Sequence, residues 1–246
     1  MVQSGRMIGV MLNVTGIVVG GVIGRIARKP LTPTREGFLK VALGAFTVFY
    51  GLRLTWMSLS GPGLSILRQL LIVVLALMLG SVLGRLLRLQ KMSNGLGQRA
   101  RALITAAAAN RPPRFSDGFN ACAILFCAAP LGIIGAIEDG LSHYPYPLAV
   151  KAVIDGLAAI GFVSLFGWST LVAAVPVFAL QGTIALVCSQ YLEPALRHHQ
   201  LVDSVNATAG LLVFTVALVI LQLKKIALAD YLPSLVVAPL LTRVWH

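Results

Sequence analysis

The chain has 246 residues, of which 57% are apolar and only 11% charged, and its mean hydropathy is +0.87. A soluble domain carries roughly 25% charged residues, so a water-facing surface is excluded and the class is an integral, polytopic membrane protein of one domain. The net charge of +12 does not point to nucleic acid, because fourteen of the twenty Lys and Arg residues lie in or beside three connections, Arg25–Lys40, Arg85–Arg114 and Lys224–Lys225. That clustering is the positive-inside distribution, and the lipid bilayer is the partner it implies.

A span needs about 20 apolar residues to cross about 30 Å of hydrocarbon. In chain order the predicted segments are Met7–Ile26, Phe38–Met57, Ile66–Leu87, Phe119–Ile137, Leu148–Trp168, Leu171–Tyr191 and Val205–Leu223. A short eighth, Leu232–Val244, holds Pro233 and Pro239 and reads either as a tilted span or as a re-entrant piece. The fold class is therefore all-α: a transmembrane helix bundle of seven spans plus a short eighth segment. The first segment is not a cleavable signal, since it holds Asn13 and five glycines and its basic cluster follows it.

The basic connections go inside, which places the N-terminus outside. Leu59–Ser65 and Glu138–Pro147 carry no Lys or Arg and go outside, while Arg197 departs from the pattern. Within the longest inside connection, Arg101–Asn110 predicts a short surface helix with its arginines at the lipid headgroups.

The glycines recur. "GGVIGRIARK" (Gly20–Lys29) returns as "GSVLGRLLRL" (Gly80–Leu89), each followed by a basic loop and a similar start, "EGFLKVALG" (Glu36–Gly44) and "DGFNACAIL" (Asp117–Leu125). Glycines four apart clear a stripe along which another helix packs closely, and the arginines snorkel to the surface. The predicted unit is a helix pair, 7–57 and 66–137, followed by a lone helix, 148–168. A fainter third pair, 171–223, runs the other way by the charge count. Pairs of opposite orientation are the pattern of transporter folds with a midplane site. Glycine stripes equally suit a homo-oligomer interface.

Of the eight carboxylates, Asp155 alone lies well inside a predicted span. An aspartate there costs about 2.5–3.5 kcal/mol on insertion, so it faces the bundle interior and needs a partner. Lys151, four residues earlier, is on the same helix face. Two readings stand: a structural Lys151–Asp155 pair, or a proton or cation site. Glu138 and Asp139 close the fourth segment and point to different sides of it, as local structure or as an outer mouth that gathers cations near Arg53. The amides Asn13, Asn120, Gln181 and Asn206 sit in spans, where a buried amide must find a partner. They act as interhelical glue or line one shared polar cavity with Asp155. Pro176 ahead of Gln181–Gly182 predicts a kinked or broken helix there, whose freed carbonyls suit an ion.

The three cysteines, Cys122, Cys127 and Cys188, lie in apolar stretches without metal-ligand spacing. His198–His199 are poor chelators on one helix. "GGVIG" lacks the Lys-Ser/Thr of a P-loop, and neither a zinc-protease nor a nucleophile-elbow motif occurs. The expectation is no enzyme, no cofactor and no metal.

Several stretches together resemble the YqgA-like bacterial membrane family, domain of unknown function 554. They include "LNVTGIVVGGVIG" (Leu12–Gly24), "LGSVLGRLL" (Leu79–Leu87), "FSDGFNACAILFC" (Phe115–Cys127), "GIIGAIEDGL" (Gly132–Leu141), "KAVIDGLAAIGFVS" (Lys151–Ser164), "VPVFALQGTIAL" (Val175–Leu186) and "LPSLVVAPLL" (Leu232–Leu241). The resemblance covers nearly the whole chain, with Pro130 standing where similar proteins tend to carry a small residue. It implies an integral protein of the bacterial cytoplasmic membrane and supplies no catalytic residues. The leading functional expectation is a transporter or channel for a small ion or solute, coupled to protons or a cation through Asp155. The alternative is a non-transporting membrane scaffold or sensor whose polar residues only hold helices together.

Overall fold

The computed structural model describes residues 7–26, 33–109 and 114–245. Part of the predicted basic connection after the first segment and the last residue of the predicted surface helix fall at 27–32 and 110, outside the described residues. Among the described residues the fold is all-α. Its helices are α1 (Ile8–Ile26), α2 (Pro33–Met57), α3 (Gly63–Leu86), α4 (Leu89–Ala108), α5 (Phe115–Ala128), α6 (Pro130–Ser142), α7 (Tyr146–Phe166), the single turn α8 (Ser169–Val172), α9 (Ala174–Val187), α10 (Glu193–His198), α11 (Val202–Ile220) and α12 (Ser234–Trp245). A π-helical turn, Cys188–Leu192, joins α9 to α10, and a 3₁₀ turn, Leu228–Tyr231, precedes α12.

Among the described residues six helices are long and apolar enough to cross a membrane, with α8 to α10 running on as one of them, Ser169–His198. The predicted span Phe119–Ile137 is not one straight helix. It is α5 and α6, bent by 59° at their junction. The cause is Pro130, which has no N–H to donate and forces Ala129 out of the helical region, to φ −70° and ψ 122°. Pro176 bends the chain less. It stands four residues after Val172, the end of α8, so its missing N–H accounts for the one-residue interruption at Ala173, yet α8 and α9 run on as one candidate span.

Glycine contacts fix the helix directions. Gly16, Gly20 and Gly24 of α1 face Ala152, Gly156 and Ile160 of α7. Both registers advance together, so these two helices are parallel. A Cβ on Gly16 would lie 2.5 Å from the Ala152 carbonyl oxygen, closer than packed atoms approach, so the stripe admits only glycine. Along α2, Gly44 meets Leu221 and Gly51 meets Gly210 and Phe214 of α11, which makes that pair antiparallel. On α3, Gly84 meets Asp230 and Gly80 meets Ser234, while Trp245 shares a groove with Leu64 and Leu67 near the start of the helix. The short eighth segment, lengthened by its 3₁₀ turn, therefore lies antiparallel along about 27 Å of α3 at 1.5 Å per residue. It does not turn back as a re-entrant piece would. The predicted pairs are not packing units: α1 lies along α7 and α2 along α11, rather than along each other.

The helix predicted over Arg101–Asn110 begins instead at Leu89. "SNGLG" (Ser93–Gly97) reads as a breaker, but tertiary docking overrides local propensity. The Gln90 backbone N–H donates to Asp230 Oδ1 at 2.8 Å, and Gln90 Oε1 accepts from the Ala229 N–H at 3.1 Å. This clamp fixes α4 against the 3₁₀ turn at one end of the bundle.

Candidate functional site

Four polar side chains from three helices meet in the bundle core. Asp155 lies near the middle of α7, and Lys151, one turn before it, donates its ammonium to Asp155 Oδ2. The two side chains are 2% and 8% exposed. Asn13 of α1 donates from Nδ2 to Gln181 Oε1 of α9 at 3.0 Å and also reaches the Asp155 carboxylate. Asn13 is 0% and Gln181 2% exposed. Facing Asp155 sets the amide orientation of Asn13, and the Asn13 hydrogen bond sets that of Gln181. Two buried atoms then remain without a partner, Asn13 Oδ1 and Gln181 Nε2. A buried polar group left bare costs about 1–3 kcal/mol. These two are therefore the place where something besides the described side chains belongs.

The break between α5 and α6 borders this cluster. Gly132, in the first turn of α6, carries only a hydrogen where a Cβ would lie 2.8 Å from Lys151 Cε and 3.0 Å from Gln181 Nε2. Cys127, in the last turn of α5, lies in electrostatic range of both Lys151 and Asp155. The bent junction thus puts the C-terminal end of α5 and the N-terminal end of α6 beside the cluster, with the Gly132 N–H closed onto the Ala129 carbonyl at 2.9 Å. Cys127, Ala128 and Pro130 also line a groove of about 490 Å³, whose other wall includes Met92, Ser93 and Leu96 of α4. Sequence reading did not assign Gly132 and Cys127. The available signal was a proline at the centre of a predicted span with a glycine two residues on.

The other predicted residues sit elsewhere. Asn206 is buried at the opposite end of the bundle, where its Oδ1 accepts from Ser142 Oγ at 2.7 Å. Asn120 is exposed, less than two turns into α5. The single cavity lined by all four amides is thus corrected to a cluster with two of them. Glu138 and Asp139 are both fully buried rather than arranged at an open mouth. Asp139 caps α1 from another helix: Oδ1 accepts the Gly9 N–H and Oδ2 the Val10 N–H, each at 3.1 Å. Two of the N–H groups that a helix start leaves open are satisfied in this way. Glu138 points away from it, towards Cys188 and Tyr144, and neither of its oxygens has a hydrogen-bond partner. Arg53 forms no ion pair with a described carboxylate.

Nearby, Tyr50, Tyr144 and Tyr146 close the end of the core. Tyr50 and Tyr146 stack at 3.9 Å, and the Tyr144 hydroxyl donates to the Tyr50 carbonyl at 2.8 Å. Tyr144 lies in the turn between α6 and α7, where burial pushes its pKa up and keeps the hydroxyl a donor. Among the described residues no three His, Cys, Asp or Glu side chains come together as a metal site. The three cysteines are free thiols.

Comparison with known proteins agrees with this architecture. The family described as Protein of unknown function (DUF554) matches residues 8–243. The protein of Bacillus subtilis (strain 168) called Uncharacterized membrane protein YdfK is 28% identical over 241 residues, 98% of this chain and 97% of its own length. Uncharacterized protein YqgA of Escherichia coli (strain K12) is 26% identical over 241 residues, 97% of each chain. No solved structure matches the chain. A family match that runs from the first helix to the last, on an all-α bundle of membrane-length helices, leaves one assignment: the chain is a polytopic membrane protein and belongs to the DUF554 family.

Proposed function

We propose that this protein is a transporter for a small ion or solute, coupled to protons through Asp155. The observation that carries the reading is the pair of bare amide atoms, Asn13 Oδ1 and Gln181 Nε2, beside the Lys151–Asp155 pair at a broken helix. Ionisable groups inside a membrane bundle are costly and mark ion or proton pathways. Broken helices supply free backbone ends at such sites. Lys151 and Asp155 are each less than a tenth exposed, so the described state is occluded. In this reading the N-terminus of α1 faces the outside of a bacterial inner membrane, and α4 lies on the inner surface with Lys91, Arg99 and Arg101 among the lipid headgroups.

A second reading, a scaffold, is favoured by the local satisfaction of the charges. Lys151 and Asp155 neutralise each other within one helix, and Asn13 bonds Gln181 directly. A pH jump applied to proteoliposomes bearing the purified protein and holding a pH-sensitive dye separates the two. The dye reads protons carried with or without net charge. The transport reading expects a transient in wild type that Asp155→Asn abolishes. Folded protein that gives no transient favours the scaffold.

A further inference from the structure

We infer that the solute is a small monoanion, such as a short carboxylate, and that it takes Lys151 from Asp155 when Asp155 is protonated. This rests on the transport reading and adds its substrate class. Two donors meet against Gly132. Lys151 supplies an ammonium with hydrogens beyond the one given to Asp155. Gln181 Nε2 is a buried amide donor with no acceptor among the described residues. Both lie at the start of α6, a 13-residue helix, against its first turn. The positive end of a helix dipole favours negative charge there, although Pro130 has no N–H and the Gly132 N–H is given to the Ala129 carbonyl at 2.9 Å. A Cβ at Gly132 would strike both donors, so only glycine leaves them free to turn to a ligand. Among the described residues Asn13 Oδ1 is a fully buried bare acceptor at the cluster, which suits the hydroxyl of a hydroxy acid or a bound water.

The resting pair blocks this site, because Asp155 already occupies the Lys151 ammonium. A proton from water adds to Asp155 and makes it a neutral acid. Lys151 keeps its own protons, and its freed N–H turns to the anion. One proton and one anion enter together, so the charge of the cluster is the same before and after. This avoids leaving a buried charge unpaired at either stage. The titratable groups facing Asp155 are Lys151 on its own helix and the Cys127 thiol of α5. From α1 and α9 it meets the amides Asn13 and Gln181, and α6 brings Gly132. Elsewhere α2 and α4 share apolar clusters with α7, through Leu43 and Leu103 among others.

The test is binding of nitrate and methanesulfonate, which stay ionised at every pH used, to the purified full-length protein by calorimetry, with thermal unfolding as the check of fold. Wild type should bind either anion about tenfold more tightly for each unit the pH is lowered, since one proton is taken up with each anion. Asp155→Asn mimics the protonated state, so it should bind at high pH with that dependence gone. The double variant Lys151→Met/Asp155→Asn, which leaves no buried charge, should fold and bind neither anion. Anion binding that persists in this double variant overturns the proposal, as does a folded Asp155→Asn that binds neither anion. Sodium or potassium binding that needs Asp155, with no anion binding, overturns the anion class while leaving the transport reading intact. No bound ion of either sign, together with silence in the pH jump, overturns both.

Discussion

Asn13 of α1 and Gln181 of α9 are 168 residues apart in sequence and share a 3.0 Å hydrogen bond in the core. Each contributes one amide atom to that bond, and each keeps one bare. Replacing Gln181 with Leu takes the acceptor from one N–H of Asn13 Nδ2 and should cost about 1–3 kcal/mol. Asn13→Leu/Gln181→Leu removes both ends and should cost less than the sum of the single changes. Reversible unfolding in a double-mutant cycle measures the difference. Additive costs would mean that the two amides do not interact.

The Asp139 carboxylate tests separately from the core cluster. Its two oxygens hold the Gly9 and Val10 N–H groups. Asp139→Ala should therefore destabilise the protein by about 0.5–2 kcal/mol, the usual range for loss of a cap, while the pH-jump transient survives. A variant of normal stability that lost the transient would move Asp139 from structure to ion pathway.

The glycine stripe of α1 makes a sharper stability prediction. A Cβ at Gly20 would run into the Gly156 backbone, whereas a Cβ at Gly95 or Gly161 meets nothing within 4 Å. Gly20→Ala should cost about 1–3 kcal/mol by overpacking. Gly161→Ala, inside α7, should be neutral or slightly stabilising, because alanine is the better helix former. Equal thermal midpoints for the two variants would mean that α1 and α7 do not approach as described.

Pro130→Ala restores an N–H at the junction of α5 and α6 and removes the clash that holds Ala129 extended. The fold should survive, since both helices keep their partners. Transport should fall about tenfold or more as the helix ends turn away from Lys151 and Gln181. Fluxes through proteoliposomes with matched amounts of folded protein measure this. Unchanged flux would remove the helix break from the mechanism.

Hydropathy located the spans well, because membrane thickness and apolar run length are the same physical constraint. It did not distinguish the two prolines. Pro176 and Pro130 both interrupt apolar runs, and only the backbone shows that the first leaves its span running on while the second bends its span by 59°. Lys151 and Asp155 were legible as a pair because four-residue spacing is local geometry. That Asn13 and Gln181 join them, while Asn120 and Asn206 do not, is decided by tertiary partners. Along α1 the glycines announced close packing, but nothing local to "GGVIG" says that the partner is α7 and runs parallel. Asn120 was misplaced because α5 begins at Phe115, which puts the amide near the helix end rather than in the core.

The most direct test of the account is proton flux in proteoliposomes holding a pH-sensitive dye, driven by gradients of small anions and of alkali cations in turn. With membrane potential clamped, at least one of these gradients should move protons in wild type, and the same gradient should move none in Asp155→Asn of equal folded content. If no gradient moves protons through folded wild type, or if Asp155→Asn matches wild type, then Asp155 couples nothing and the cluster at the broken helix only holds the bundle together.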